Sequence, residues 1–462
     1  MTLEEFTACA VPPVEALAAA TRAVLDTVGV ALAGSVEPAA EIVRRAIAME
    51  ARSDATGEPA RVAGGPARIF GADCCAAATE AALANGTAAH ALDYDDMCFV
   101  SLAHPSAPLV AAAFAAGELA RAPGRALLEG YVVGFEVEAR LGRAMNPRHY
   151  RRGWHCTSTI GTLGAAAAAS RVLELSVDQA AAALAIAASE ACGLKENFGT
   201  MVKPLHAGLA AHNGVRAALL GRAGMTASRG ALDGPQGFLR AMDGESAALG
   251  PFAGDLGRQF EILDSGITVK LYPSCAATHP TLDALLDLRR LERFDAGHVE
   301  SVHVGVDPVT PTVLIHERPA SGLEAKFSMQ FCAAAALLHG GVGIDTFDDA
   351  AVQDPRLAAL GSRVRMSVDP TLDASAPPLT QARITVRLHD GRELTVRANG
   401  ARGYPDRPAA DDELAAKFLA CASRVMSEES ARRALQAVGA IADTPDVRNV
   451  AALLGRDHAS RP

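Results

Sequence analysis

The sequence predicts a mainly α protein, with a large all-helical domain over residues 1–265, to which 405–462 return, and a smaller α+β domain over 266–404. Three observations predict it. From residue 10 to about 245 the chain is rich in Ala and Leu with apolar residues at helical spacing. After residue 265 apolar and polar residues begin to alternate, and from Asp411 the helical pattern comes back.

Taken in order, Val14, Leu17, Val24, Leu25 and Val28 recur at helical spacing, and Leu109–Leu119 and Gly161–Leu173 fit an amphipathic or wholly buried helix better than a strand. Small side chains on nearly every turn let helices approach closely, as the central helices of a large bundle do. Pro147, Gly153, Pro204 and Gly230 punctuate the run. In the second domain Val299–Val306 and Val364–Val368 alternate with period two. Arg383–Leu388 and Glu393–Val396 flank His389-Asp390-Gly391-Arg392, whose Asp-Gly is a hairpin signal. Helical pattern is interleaved at Pro280–Leu291 and Ala325–Leu338. Between Asp411 and Leu454 the first turn carries Asp411, Asp412 and Glu413, as the helix dipole favours.

The 462 residues suffice for two or three domains with an ample core. With 43 Lys+Arg against 53 Asp+Glu the net charge is −10, which disfavours nucleic acid as a partner. The most apolar runs, such as Ala180–Ala188, are short, so no membrane-spanning segment is expected. The Met-Thr-Leu-Glu-Glu start is acidic where a signal peptide is basic, which points to a cytoplasmic protein. Nine Cys, with only Cys74 and Cys75 close together, suggest reduced thiols rather than a disulfide framework or a CxxC metal clip. Only five basic residues are Lys: Lys195, Lys203, Lys270, Lys326 and Lys417. Lys is a compact charge whose pKa burial can tune, which Arg cannot supply. For Lys195 and Lys417 neutral retention stands on an equal footing; the other three lie in motifs.

Five polar islands interrupt the apolar background. The first is Asn85-Gly86-Thr87 with His90, then Asp93-Tyr94-Asp95-Asp96 and His104-Pro105. Carboxylates so crowded must be solvated, paired with cations or bound to metal, so a capped, solvated turn and an acid/base site both remain open. The second, Gly153-Trp154-His155-Cys156-Thr157-Ser158-Thr159, sets His155 and hydroxyls ahead of an Ala-rich helix, where they cap it or hold an anion. The third runs from Asn197 to Gly208 and places Lys203 and His206 either side of Pro204. A cation buried there is costly until an anion pairs with it. The fourth, Lys270-Leu271-Tyr272-Pro273-Ser274-Cys275-Ala276-Ala277-Thr278-His279, repeats the recipe at the domain boundary, and the fifth brings Lys326 to a helix start. Walker, dinucleotide, His-Glu-x-x-His and Gly-x-Ser-x-Gly signatures are absent from the sequence.

Together these islands, in this order, resemble the MmgE/PrpD family, which includes 2-methylcitrate dehydratase, cis-aconitate decarboxylase and iminodisuccinate epimerase. The resemblance spans nearly the whole chain. It implies a helical domain with a smaller α+β lid and a cleft between them, a homodimer, and chemistry on di- or tricarboxylates without metal or organic cofactor. Carried over position by position, it places the catalytic site on Asp93, His104, His155, Lys203 and Lys270, with Tyr94, His206, Ser274, Cys275, His279 and Lys326 as substrate-binding candidates. Two positions depart from members that decarboxylate cis-aconitate: Met97 after the acidic run, and Cys275 where those members carry His. Pro-Ser-Cys and Lys-Phe-Ser look closer to the epimerase.

The residues themselves suggest a chemistry. Taking a proton from carbon next to a carboxylate builds negative charge that fixed cations stabilise. Lys203, Lys270 and His206 or His279 are the candidate charges, and His104 or Asp93 the base. His155 or Tyr94 would protonate a leaving hydroxyl or return the proton to the opposite face. A 2-methylcitrate dehydratase-like lyase is the expectation, with epimerase, decarboxylase and an inactive carboxylate-binding homologue as alternatives.

Overall fold

The computed structural model describes residues 1–50, 65–243, 250 and 254–457. The chain divides into two compact units, one of Met1–Glu196, Val202–Ile267 and Ala410–Pro462, the other of Asn197–Met201 and Thr268–Ala409.

The first unit is dominated by seven helices: α1 (Val14–Gly34), α2 (Ala78–His90), α3 (Ser106–Ala120), α4 (Gly124–Met145), α5 (Cys156–Val172), α6 (Val177–Glu190) and α7 (Val202–Arg222). Helix α7 packs against α2, α5 and α6, and α4 packs against α5. Sixteen of the seventeen residues of α5 are buried, as suits a helix apolar or small on every side. Large residues such as Tyr131, Phe114 and Phe135 fill the gaps between small ones, each contributing about 1.5–3 kcal/mol by leaving water. The C-terminal helices Asp411–Ala422 and Glu428–Gly439 belong to this unit; the first lies on α1.

Two features of the first unit correct the sequence expectation. It is not wholly helical, because Ala67–Arg68 and Cys75–Ala76 form a two-residue antiparallel ribbon, β1 and β2. Helix α1 is also long and apolar enough, by length and composition, to cross a bilayer, where only short Ala-rich runs were expected. Most of the helix is buried in the core, and it carries Asp26, which pairs with Lys417 at 2.7 Å.

The second unit carries a four-stranded sheet of β3 (Val299–Val306), β4 (Val364–Val368), β5 (Ala382–Leu388) and β6 (Glu393–Ala398), in the order β4-β3-β5-β6. The β3–β4 pair is parallel; the other two are antiparallel. Ala382, Ile384, Val386 and Leu388 turn one face inward, and α8 (His279–Leu291) lies on β5 and β6 while α9 (Met329–His339) lies on β4 and α8. The β5–β6 turn uses Gly391 at φ 87°, a conformation that glycine adopts without strain. The helix expected over Ala325–Leu338 is interrupted after Ala325. Ser328 then caps α9 by accepting the Phe331 N–H at 3.1 Å, a local bond that competes with continuous helix.

Candidate active site

Close helix contact builds the first unit's polar centre. Gly86 on α2 faces Gly208 on α7, and a Cβ at Gly86 would stand 2.9 Å from both Ala207 O and Gly208 Cα. Glycine in a helix interior costs about 1 kcal/mol relative to Ala, but here it lets two backbones touch. One turn beyond Gly86 lies His90, and in the first turn of α7 lies Lys203. The Lys203 ammonium consequently donates to His90 Nε2 at 2.9 Å and to Asp93 Oδ1 at 3.1 Å.

Because His90 Nε2 accepts from an ammonium, its ring proton sits on Nδ1, 2.8 Å from Asp95 Oδ2. Burial, outweighing Asp95, lowers the His90 pKa and keeps the ring neutral. Asp93 adopts φ 52°, a left-handed conformation that a short polar side chain tolerates, and this turn aims it back at Lys203. His104 closes the group. Its Nδ1 donates to the Asp96 carbonyl at 2.8 Å, which leaves Nε2 as the acceptor nitrogen, 3.7 Å from Asp93 Oδ1. Asp95 Oδ2 lies 3.6 Å from His104 Nδ1. Asp93 thus stands between the Lys203 ammonium and the His104 ring, and Asp95 between the imidazoles of His90 and His104.

A second pair of rings lies alongside. His155 occupies the N-cap position of α5 without a side-chain capping bond, and residues 153–155 run antiparallel to 193–195 through His155 N–H to Gly193 O at 3.0 Å and Lys195 N–H to Gly153 O at 2.8 Å. Its Nδ1 meets His206 Nδ1 at 3.0 Å, so one ring donates and the other accepts. His155 and His90 stack with centroids 5.9 Å apart. Burial, reinforced by the Lys203 charge, pushes the His155 pKa well below 6.5, and burial takes His206 down to about 4. Both are neutral donors and acceptors at neutral pH.

Beneath His104, Asp96 accepts the Ser106 N–H at 3.2 Å and is also bonded to the Ser106 hydroxyl, which contacts Tyr131 OH at 2.6 Å. Burial pushes the Asp96 carboxyl up to about 8. This buried network fixes the turn that presents His104.

In the second unit the candidates gather around one loop. Ser274 and Thr278 share a hydroxyl contact at 2.9 Å, and His279 Nε2 donates to Ser274 O at 3.2 Å. Lys326 donates to Pro273 O at 3.1 Å, and its carbonyl accepts the Cys275 N–H at 3.0 Å. Lys270 is fully buried.

Comparison with known proteins places the chain in a family. Residues 5–248 match the model of the MmgE/PrpD N-terminal domain and residues 272–443 that of the MmgE/PrpD C-terminal domain. The chain belongs to the MmgE/PrpD family. Among MmgE/PrpD relatives, a human protein named cis-aconitate decarboxylase is 31% identical over 388 residues, covering 81% of this chain and 79% of its own. A mouse protein of the same name is 32% identical over 390 residues, covering 81% and 78%. One from Aspergillus terreus, again of that name, is 26% identical over 387 residues, covering 79% and 78%. The departures at Met97 and Cys275 therefore sit in a chain whose relatives carry decarboxylase names, and the closeness to the epimerase expected from Pro-Ser-Cys and Lys-Phe-Ser finds no support in them.

Within this MmgE/PrpD chain the first unit brings Asp93, His104 and Lys203 into one cluster, with His155 and His206 beside it. Tyr94 is engaged elsewhere: its carbonyl accepts from Lys417 at 2.8 Å and its ring lies 4.0 Å below that ammonium. Two expectations are corrected. His206, a candidate charge, is neutral because burial takes its pKa down to about 4. Lys203 is not a buried cation awaiting an incoming anion, because Asp93 already pairs with it. Sequence reasoning named His90 and Asp95 in the first island without giving them a role. The signal was only proximity: His90 ends α2 five residues before Asp95, the carboxylate it bonds.

Proposed function

We propose that this chain is a lyase acting on a small di- or tricarboxylate, with an unsaturated tricarboxylate of the cis-aconitate type as substrate and His104 as the proton-transfer residue. The observation that carries the reading is the Lys203–Asp93–His104 cluster, in which a buried ammonium, a carboxylate and an imidazole nitrogen converge. Imidazole is the side chain suited to giving and taking a proton near neutrality. The names of the relatives at 31–32% identity support decarboxylation over other lyase chemistry.

In that reaction the bond from the carbon skeleton to one carboxylate breaks, carbon dioxide leaves, and the electron pair remains as a dienolate spread onto a neighbouring carboxylate. The positive charges of Lys203 and protonated His104 oppose that charge build-up. His104 Nε2 then delivers its proton to carbon, forming the new C–H bond, and solvent reprotonates the ring. Asp93 holds the imidazolium, while His90 and Asp95 hold Lys203 in place. Neutral His155 and His206 offer hydrogen bonds to a bound carboxylate without adding charge. Dehydration of a hydroxy acid would use the same cluster in the opposite order, with His104 first as base.

The test is incubation with cis-aconitate, citrate or 2-methylcitrate in deuterium oxide, followed by NMR. Carbon dioxide release with one deuterium entering the product is expected from cis-aconitate. Loss of water from a hydroxy acid without carbon dioxide would replace decarboxylation by dehydration, and no exchange from any of the three would refute the lyase reading. His104→Gln is expected to lower kcat by about 10²–10⁴-fold, the span of general acid–base catalysis, with little change in melting temperature.

A further inference from the structure

The second unit contains a cavity of about 770 Å³, inside the range of small-ligand sites. Arg289, Arg290, Arg402 and Arg407 line it, with Asp283 and Asp287. Four guanidinium groups against two carboxylates give a net +2 there, in a chain whose overall charge is −10. The two carboxylates are already committed. Asp283 is bonded to the Tyr272 hydroxyl and accepts the Arg402 backbone N–H at 2.6 Å, with Arg402 Nε 3.5 Å away. Asp287 pairs with Arg290 at 3.1 Å. Among the described residues, Arg289 and Arg407 form no ion pair.

Arg289 is also given room. Gly340 ends α9 at φ 72°, and the Arg289 guanidinium occupies the space that a Cβ at position 340 would fill. Leu286 and Phe294 supply an apolar wall. An unpaired guanidinium fork in a concave site matches the paired oxygens of a phosphoryl or carboxylate group, a geometry that a single ammonium does not reproduce.

We propose that this cavity binds a small molecule carrying two or more adjacent anionic groups, phosphoryl or carboxylate, on Arg289 and Arg407. The site lies wholly in the second unit and does not depend on the reaction assigned to His104.

The experiment is calorimetric titration of the full chain at fixed ionic strength with pyrophosphate and, separately, with tricarballylate. Saturable binding of at least one probe is expected, weakened at least tenfold in the double variant Arg289→Ala/Arg407→Ala, while turnover of the catalytic substrate is retained. Binding of pyrophosphate alone assigns a phosphoryl ligand, tricarballylate alone a polycarboxylate, and both the shared chemistry. Should the Ala pair fail to fold, Arg289→Lys/Arg407→Lys, which keeps the charge and loses the fork, carries the test with the same required weakening. Saturable binding by neither probe, or binding unchanged in the folded variant, overturns the proposal.

Discussion

Lys203 and Lys326 come from sequence islands of similar make-up, a Lys close to a helix start, but their surroundings differ in kind. Lys203 sits among ionisable groups, donating to an imidazole and a carboxylate. Lys326 donates to a backbone carbonyl and lies over the Phe347 ring at 4.7 Å. The first arrangement is a charge-balanced network whose members depend on one another. The second tethers a loop. Burial is the same in both, so it does not distinguish a lysine within an electrostatic cluster from one holding backbone in place; the partners do.

The largest effect expected from this contrast is at Lys203. Removing one partner of a buried ion pair costs about 3–5 kcal/mol, because the remaining charge stays buried without its counter-ion. Lys203→Ala leaves Asp93 and Asp95 facing each other, so it should both abolish turnover and lower the melting temperature by many degrees. Lys326→Ala removes a hydrogen bond to a carbonyl and is expected to destabilise less, about 1–3 kcal/mol. Denaturant titration of the two variants checks the order, and equal losses would erase the distinction.

The next effect tests how the cluster is assembled. A Cβ at Gly208 would collide with Leu83 O and Thr87 Oγ1 across the α2–α7 contact. Overpacking of this kind costs about 1–3 kcal/mol. Gly208→Ala should also lower kcat, because parting the two helices moves Lys203 from His90. Ala at Gly439, where nothing stands within 4 Å, is the control and should leave activity unchanged. Full activity in Gly208→Ala would show that the contact does not set the geometry.

A smaller effect concerns Asp96. Its folded pKa of about 8 lies above the ordinary carboxylate value of about 3.9, so the folded state binds the proton more tightly than the unfolded chain. The stability it contributes is complete below the unfolded pKa and is lost as pH rises from about 4 through 8. Asp96→Asn mimics the protonated form and should flatten the fall in melting temperature across that window relative to the parent, while leaving His104 chemistry largely intact. Parallel curves for parent and variant would place Asp96 outside this linkage.

Much of the arrangement was legible in the sequence where the signal was local. The Asp-Gly turn announced the β5–β6 hairpin, period-two alternation marked β3 and β4, and scarce lysines drew attention to Lys203. What escaped was relational. The parallel pairing of β3 with β4 and the interruption of helix at Lys326-Phe327-Ser328 depend on tertiary packing and on a local Ser328 cap. The Lys203–Asp93 pair joins residues 110 positions apart through a glycine-to-glycine crossing. Lys203 therefore read as an isolated cation, and His90 as a bystander, until that crossing was in view.

The smallest expected effect, none at all, comes from chelation. His90, Asp93, Asp95 and His104 each offer a ligand atom within 4.8 Å of the others, a grouping that could hold a metal ion. Their remaining bonds argue against it. His90 Nε2 and Asp93 Oδ1 already take the Lys203 ammonium, Asp95 is bonded to His90 Nδ1, and His104 Nδ1 donates to a backbone carbonyl. A divalent ion would have to displace a fixed cation or sit against it, and the repulsion between them grows as the dielectric falls on burial. Extended dialysis against EDTA should leave kcat and melting temperature unchanged, and elemental analysis should find less than stoichiometric metal. Activity lost to EDTA and restored by one divalent ion per chain would reassign Lys203 from the cluster's cation to a residue that yields its place to metal.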